Sequence, residues 1–151
     1  ALKAYRGINT LSAMVLLTEV VTFSRFRNAR ELMSYLGIVP SEYSSAGMIS
    51  KGSLTKCGNK RVRRILIEAA WHNRHDAKVT YPMKVNFSKI DPELRNPPLK
   101  ALTRLHKRYY HLIFKGKPKP KVAAAVAREL AGFIWHSMII VEARLNNNQA
   151  A

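Results

Sequence analysis

Apolar residues recur along much of the chain at intervals of three or four positions, the spacing of one face of an α-helix. Five segments have this pattern and are predicted to be helices: 10–21, 29–36, 60–73, 99–114 and 122–145. The last has apolar residues on nearly every side of its middle, so we expect it to run through the core. No strand alternation or internal repeat interrupts this order, and the pattern predicts a mainly α, compact helical domain over residues 1–151.

Residues of capping type mark several of these helices. Thr10, Asn28 and Asn59 are each expected to cap the helix that follows, because their side chains can accept a hydrogen bond from its first turn. Gly37 stands where the second helix needs a left-handed residue at its end. Residues 74–98 are predicted to be an irregular surface connection, since prolines interrupt any long element. These are Pro82, Pro92, Pro97 and Pro98.

Two further segments contain turn-forming residues. Residues 1–22 contain Gly7 and Asn9, which both tolerate positive φ, and predict a helix-hairpin-helix-like segment; an ordinary turn between helices is the alternative. Residues 41–58 are rich in serine and glycine, and short strands or a β-hairpin can form there.

The serine-rich loop is followed by a dense group of positive charge. Ser44 and Ser45 lie in a turn-forming context, and no acid occurs between Glu42 and Glu68. The cations are Lys51, Lys56, Lys60, Arg61, Arg63 and Arg64. Hydroxyls beside so much uncompensated charge indicate phosphate chemistry or phosphate binding. The alternative is that the serines only cap or bend the loop.

The whole chain is strongly basic, with 26 Lys and Arg against 9 Asp and Glu and a formal net charge of +17. Such a chain attracts polyanions, which makes nucleic acid the leading partner class. Arg104, Lys107 and Arg108 add to this charge on the polar face of the segment 99–114. A membrane partner is not expected, because no basic amphipathic helix or lipid anchor accompanies the charge. One cysteine, Cys57, and no leader-like segment favour the cytoplasm.

The chemistry that the sequence lacks is also informative. The nine acids are scattered, so no metal site is predicted in this chain, and His72 and His75 have no zinc-type partners. No G-x-S-x-G motif is present, which argues against acyl transfer. A serine can instead attack a phosphodiester whose developing charge is stabilised by Arg and Lys.

At these residues the chain resembles the C-terminal transposase domain of the bacterial insertion-sequence family numbered one hundred and ten. The resemblance rests on the order and spacing of several fragments over nearly the whole chain. They are Arg6-Gly-Ile, Arg25-Phe, Leu32-Met-Ser-Tyr-Leu-Gly-Ile-Val-Pro-Ser-Glu-Tyr-Ser-Ser, Gly52-Ser-Leu-Thr-Lys-Cys-Gly-Asn, Arg63-Arg, Glu68-Ala-Ala-Trp and Ala127-Arg-Glu-Leu-Ala-Gly-Phe-Ile-Trp.

Members of that family are described as bridge-RNA-guided serine recombinases. The resemblance implies a longer protein in which a RuvC-like domain carries four metal-binding carboxylates and a domain like this one contributes a nucleophilic serine. It further implies DNA and a structured guide RNA as partners, Mg²⁺ in the other domain with no cofactor bound by this chain, and a transient phosphoserine link to DNA. We also expect the full-length protein to be a homo-oligomer.

The chain departs from the family pattern at two places. Ser45 matches the family's serine, but Ala46 replaces the glycine that follows it, while Gly47 keeps the second glycine. Ser45 is therefore the first candidate nucleophile and Ser44 the second. Asn9 replaces a glycine expected in the hairpin. Charge and proximity predict that Lys56, Asn59, Arg61 and Arg64 hold phosphates near this serine.

Two other functions remain open on the sequence. One is a helical DNA- or RNA-binding module without chemistry, and the other is a structural RNA-associated protein, which charge alone permits.

Overall fold

The last helix, α6 (Lys119–Gln149), is the element against which three other α-helices pack. The computed structural model describes residues 1–45 and 48–149. From Val122 to Met138 one face of α6 is buried; its residues are Val122, Ala123, Val126, Ala127, Leu130, Ala131, Ile134, Ser137 and Met138. Its predicted place in the core is confirmed. By length and composition alone α6 could also cross a membrane, a property that core helices of water-soluble proteins share.

The remaining elements give a mainly helical fold, as predicted. In chain order they are α1 (Thr10–Val20), α2 (Ala29–Tyr35), β1 (Pro40–Ser45), β2 (Met48–Leu54), α3 (Lys60–Trp71), α4 (Tyr81–Ser88) and α5 (Asn96–Phe114). Short 3-10 helices occur at Leu2–Ala4, His72–Arg74 and Pro92–Arg95. Helices α2, α3 and α5 each pack against α6, and β1 and β2 form an antiparallel hairpin.

The predicted caps are correct in two helices and displaced by one residue in the third. Asn28 accepts a hydrogen bond from the backbone N–H of Glu31, and Asn59 accepts from those of Arg61 and Val62. In α1 the cap is Asn9, not Thr10. Asn9 has the extended backbone that a cap needs, and its Oδ1 lies 2.8 Å from the N–H of Ser12. Thr10 is already the first residue of the helix.

Gly37 ends α2 as predicted. Its φ is +64°, and its N–H donates to the carbonyl of Ser34 while the N–H of Ile38 donates to that of Met33. This pair of bonds is the Schellman arrangement, which satisfies the carbonyls left open at a helix end. The chain then turns directly into β1.

The prediction of an irregular connection over residues 74–98 is wrong. The segment contains α4, a 3-10 helix and the first turn of α5. Pro82 and the pair Pro97–Pro98 lie in the first turns of their helices, where a missing N–H costs no hydrogen bond and the fixed φ is already helical. The prolines therefore start these elements and do not interrupt them.

At the N-terminus, the 3-10 helix Leu2–Ala4 leads through Gly7 into α1. Gly7 has a φ of +81°, and a Cβ there would lie 2.7 Å from the Cα of Ala69 in α3. The guanidinium of Arg6 donates to the carbonyls of His75, Asp76 and Lys78. These contacts fix the turn against α3. The helix-hairpin-helix character of residues 1–22 stays a prediction.

Candidate nucleic-acid interface

The β-hairpin carries both candidate nucleophiles near its tip. β1 and β2 pair in antiparallel register, with Ser44 opposite Ile49 and Ser45 opposite Met48. The predicted strand character of the serine loop is therefore confirmed in the backbone. Ala46 and Gly47 lie outside the described residues, as do the side chains of residues 42–51, which include those of Ser44, Ser45 and Lys51.

The base of this hairpin is locked to the end of α2. The N–H of Thr55 donates to the carbonyl of Val39, and the N–H of Lys56 donates to that of Gly37. Gly58 approaches α2 so closely that an added Cβ would lie 2.0 Å from the carbonyl oxygen of Tyr35. No side chain fits in that space, so the backbone contact itself requires glycine. The hairpin thus projects from a rigid support.

The N-terminus of α3 follows the hairpin base and presents part of the predicted basic cluster. Lys60, Arg61 and Arg64 are exposed and line one cleft together with Asn59 and Glu19 of α1. Arg64 forms an ion pair with Glu68 at 2.7 Å, and both partners are largely solvated, so the pair is weak. Since helix N-termini also favour anions, this corner of the surface suits a phosphate.

Arg63 belongs to the predicted cluster but is held differently. Its Nη1 donates to the carbonyl oxygens of Leu36, at 3.2 Å, and Gly58, at 3.1 Å. The side chain therefore joins α3 to the end of α2 and to the hairpin base. Its charge still contributes to the local field, but its donors are directed into the protein.

A second basic cleft lies between the hairpin and the start of α6. Its cavity of about 430 Å³ is lined by Lys56, Lys121 and Arg128 among other side chains, and the described residues around it include no acid. Lys56 has a φ of +56°, in the left-handed region that residues other than glycine seldom adopt. Sequence reasoning missed Lys121 and Arg128, because only the packing of α6 brings them beside the hairpin.

The polar face of α5 forms a third basic region, in which Lys107 is exposed. Glu129 of α6 compensates part of it: the Nε atoms of Arg104 and Arg108 each lie 3.0 Å from one of its carboxylate oxygens. The positive charge predicted on this polar face is therefore neutralised in part from another helix. Arg104 and Arg108 are held in place by this shared carboxylate.

The histidines near the end of α3 do not form a metal centre with the described residues. Their rings are 6.4 Å apart between centroids, and no three His, Cys, Asp or Glu side chains converge among those that the structure describes, at residues 1–41 and 52–149. Partial burial, with the positive charges of Arg74, His75 and Arg6, lowers the pKa of His72. His72 is therefore more strongly held in its neutral form than a free histidine.

Comparison with known proteins shows similarity to transposases. The chain is 41% identical over 135 residues to a Sinorhizobium fredii protein named as transposase y4qE, which covers 89% of this chain and 35% of that protein. It is 31% identical over 64 residues to the transposase for insertion sequence element IS1328 of Yersinia enterocolitica, covering 42% of this chain and 19% of that protein. A Pseudomonas aeruginosa protein named as a family 20 transposase is 32% identical over 69 residues, 46% of this chain and 20% of its own length.

The chain thus spans about a third of the length of the most extensively aligned of these relatives. No solved structure matches it. The family described as Transposase IS116/IS110/IS902 matches residues 1–81, more than half of the chain. The chain belongs to the IS116/IS110/IS902 transposase family.

Proposed function

We propose that this chain is the transposase domain that supplies a serine nucleophile for DNA strand cleavage and exchange. Ser45 is the proposed nucleophile and Ser44 the second candidate. The observation that carries the proposal is the hairpin itself, which places both residues near a projecting tip whose base lies between two basic clefts. Family membership supports the same function.

In the proposed reaction, the serine oxygen attacks the phosphorus of a DNA phosphodiester. A phosphoserine ester forms and the bond from phosphorus to one deoxyribose oxygen breaks. The serine hydroxyl gives its proton to a general base, and the leaving deoxyribose oxygen takes up a proton. Lys56, Lys60 and Arg61 offset the charge on the non-bridging oxygens. Because the ester conserves the energy of the broken bond, a second strand can displace the serine and complete the exchange.

The remainder of the longer protein completes the proposed site. A RuvC-like domain holds the Mg²⁺ ions through its carboxylates, a guide RNA selects the DNA target, and the whole protein acts as a homo-oligomer in the cytoplasm. The described part of this chain offers basic surfaces and no convergent acids, which is consistent with such a division. We accordingly expect the 151-residue chain alone to bind DNA without cutting it.

The test uses the full-length protein with DNA, guide RNA and Mg²⁺. Ser45→Ala is expected to abolish recombination and the covalent protein–DNA adduct, and mass spectrometry of the trapped adduct should place the DNA on Ser45. Ser44→Ala is the matched control, because it removes a neighbouring hydroxyl and should leave the adduct in place. Normal recombination by both alanine variants would exclude serine chemistry and leave a non-catalytic helical DNA- or RNA-binding module.

A further inference from the structure

We propose that the exposed aromatic edge of α5, formed by Tyr110 and Phe114, is a stacking site for unpaired bases of a single DNA strand. The surface lies apart from the serine hairpin in sequence, and base stacking there requires no serine chemistry. Only the source of the single strand rests on the proposed function, because transposition opens DNA duplexes.

Three aromatic rings follow one another along this edge. His106, Tyr110 and Phe114 occur four residues apart, so they share one face of the helix. Their ring centroids are separated by 4.9 Å and 6.1 Å. The exposed fraction rises along the row, to 37% for Tyr110 and 84% for Phe114. Phe114 thus presents most of its ring to solvent.

The inner part of the row is held rigidly. The hydroxyl of Tyr110 donates to the carbonyl of Arg74 at 2.8 Å, and Nδ1 of His106 lies 3.1 Å from the carbonyl of Asn73. Tyr110 also meets the buried Tyr109 edge to face, with centroids 5.5 Å apart. The polar atoms of Tyr110 and His106 are thus engaged by backbone carbonyls, and Phe114 at the outer end of the row has no polar atom. A rigid ring stacks on a base with little loss of side-chain entropy.

The surroundings of the rings are basic. Lys107 and His111 are exposed on neighbouring positions of α5, and the helix from Asn96 to Phe114 contains no acid. The helix then ends in a Schellman arrangement, with Gly116 donating to Ile113 and Lys117 to Leu112. Gly116 has a φ of +69°, and nothing lies within 4 Å of where its Cβ would stand. The lysines at positions 115 and 117 are thereby held beside Phe114 in open space.

Rings interleaved with cations are the arrangement with which proteins bind single strands, because the rings take the bases and the cations follow the phosphates. A duplex keeps its bases stacked inside and cannot offer them to Phe114. A protein partner would meet a small apolar area surrounded by like charge, which disfavours a stable apolar interface. Since the hydroxyl of Tyr110 is engaged, the row offers no evident group to read a ribose 2′-hydroxyl. We therefore assign the site to single-stranded DNA.

The experiment measures the dissociation constants of the 151-residue chain for one DNA sequence in single-stranded and duplex form, by fluorescence anisotropy at fixed salt. Phe114→Ala is expected to weaken single-strand binding roughly fivefold or more, because one stacked base is lost. Duplex binding should change less than twofold. Phe114→Tyr should retain single-strand affinity, whereas Phe114→Leu, which is apolar without a ring face, should lose it as alanine does.

Leu11→Ala is the matched control, because it truncates another largely exposed apolar side chain, on α1, and should change neither affinity. Circular dichroism should show that all variants keep their helical content. Equal losses for single strand and duplex, or full affinity in Phe114→Leu, would overturn base stacking. A loss confined to a single-stranded RNA of the same sequence would overturn the assignment to DNA. The assay involves no cleavage, so its failure is separate from failure of the serine mechanism.

Discussion

The side chain of Asn59 joins α3 to Glu19 of α1. Its Oδ1 caps α3, and its Nδ2 donates to Oε2 of Glu19 at 2.5 Å. The acid therefore lies at the edge of the basic cleft and is held by the residue that starts the helix. Because Asn59 both caps α3 and binds Glu19, this one side chain fixes the position of Glu19 relative to the start of α3. Direct binding of nucleic acid by Asn59 stays a prediction.

Asn59→Ala should lower the free energy of unfolding by about 1–2 kcal/mol through the lost cap, and further because Glu19 loses its donor. Urea unfolding measures the change. Asn28→Ala is the comparison, since Asn28 caps α2 through Glu31 and is not bonded to another helix. The loss for Asn59 should exceed the loss for Asn28. Equal losses would mean that the contact with Glu19 adds nothing to stability.

Gly58→Ala should displace the hairpin base, since its Cβ would lie 2.0 Å from the carbonyl oxygen of Tyr35. We expect the free energy of unfolding to fall by about 3 kcal/mol or more. Gly116→Ala separates crowding from backbone strain, because Gly116 has a positive φ and no neighbour within 4 Å. That variant should lose only about 1–2 kcal/mol. Thermal unfolding ranks the two, and a larger loss at Gly116 would contradict the packing of Gly58.

Arg61→Gln and Arg63→Gln should affect different properties, DNA binding and stability, although the two residues are close in sequence. Arg61 is exposed in the cleft, so its loss should reduce the slope of log K against log salt for duplex DNA by about 1 and leave stability nearly unchanged. Arg63 donates to the carbonyls of Leu36 and Gly58, so its loss should cost about 1–3 kcal/mol of unfolding free energy. Salt titrations and urea unfolding together test the pair. An Arg63→Gln protein as stable as the unchanged protein would contradict a stabilising role for these two hydrogen bonds.

Tyr5→Phe should change how stability depends on pH. Tyr5 is 2% exposed, and its hydroxyl contacts Ser137 Oγ at 2.6 Å and donates to the carbonyl of Phe133 at 2.7 Å. Burial raises its pKa above the ordinary value of 10.0. Above that pH the unfolded chain releases this proton while the folded chain keeps it, so stability falls as pH rises.

The variant should therefore be less stable than the natural protein near neutral pH, by about 1–3 kcal/mol, because the hydroxyl of Ser137 loses its buried partner. The difference should shrink as pH rises above about 10, where only the natural protein has this tyrosine to titrate. Unfolding free energies measured from about pH 8 to about pH 11 test this. A constant difference over that range would show that Tyr5 does not titrate as a buried group.

Local signals were enough to predict much of the fold. At the helix ends that Asn28, Asn59 and Gly37 mark, the capping bonds span at most five positions, so these capping roles follow from residue type and spacing. The prediction of Thr10 as the cap of α1 was wrong by one residue, because the adjacent Asn9 is also of a residue type that caps helices. The prolines of residues 74–98 were misinterpreted because a proline ends a helix at one position and starts one at another, and only the flanking pattern separates the two.

The sequence predicted the charged residues of the candidate interface. It did not predict which of these residues bind other groups of the protein. Arg104 and Arg108 meet Glu129 on another helix, and Arg63 binds carbonyls up to 27 residues away. Lys121 and Arg128 join the hairpin only through the path of α6. These outcomes depend on packing between elements, which periodicity and composition do not encode. The aromatic edge of α5 did have a local signal in its four-residue spacing.

The central position of α6 has a consequence for how the molecule is made. Tyr5 and Ser137 meet across 132 positions of chain, so the segment around Tyr5 is synthesised well before the helix against which it packs. A chain that ends before residue 119 lacks α6 and leaves α2, α3 and α5 without the helix on which they pack, so it should be an easy substrate for proteases.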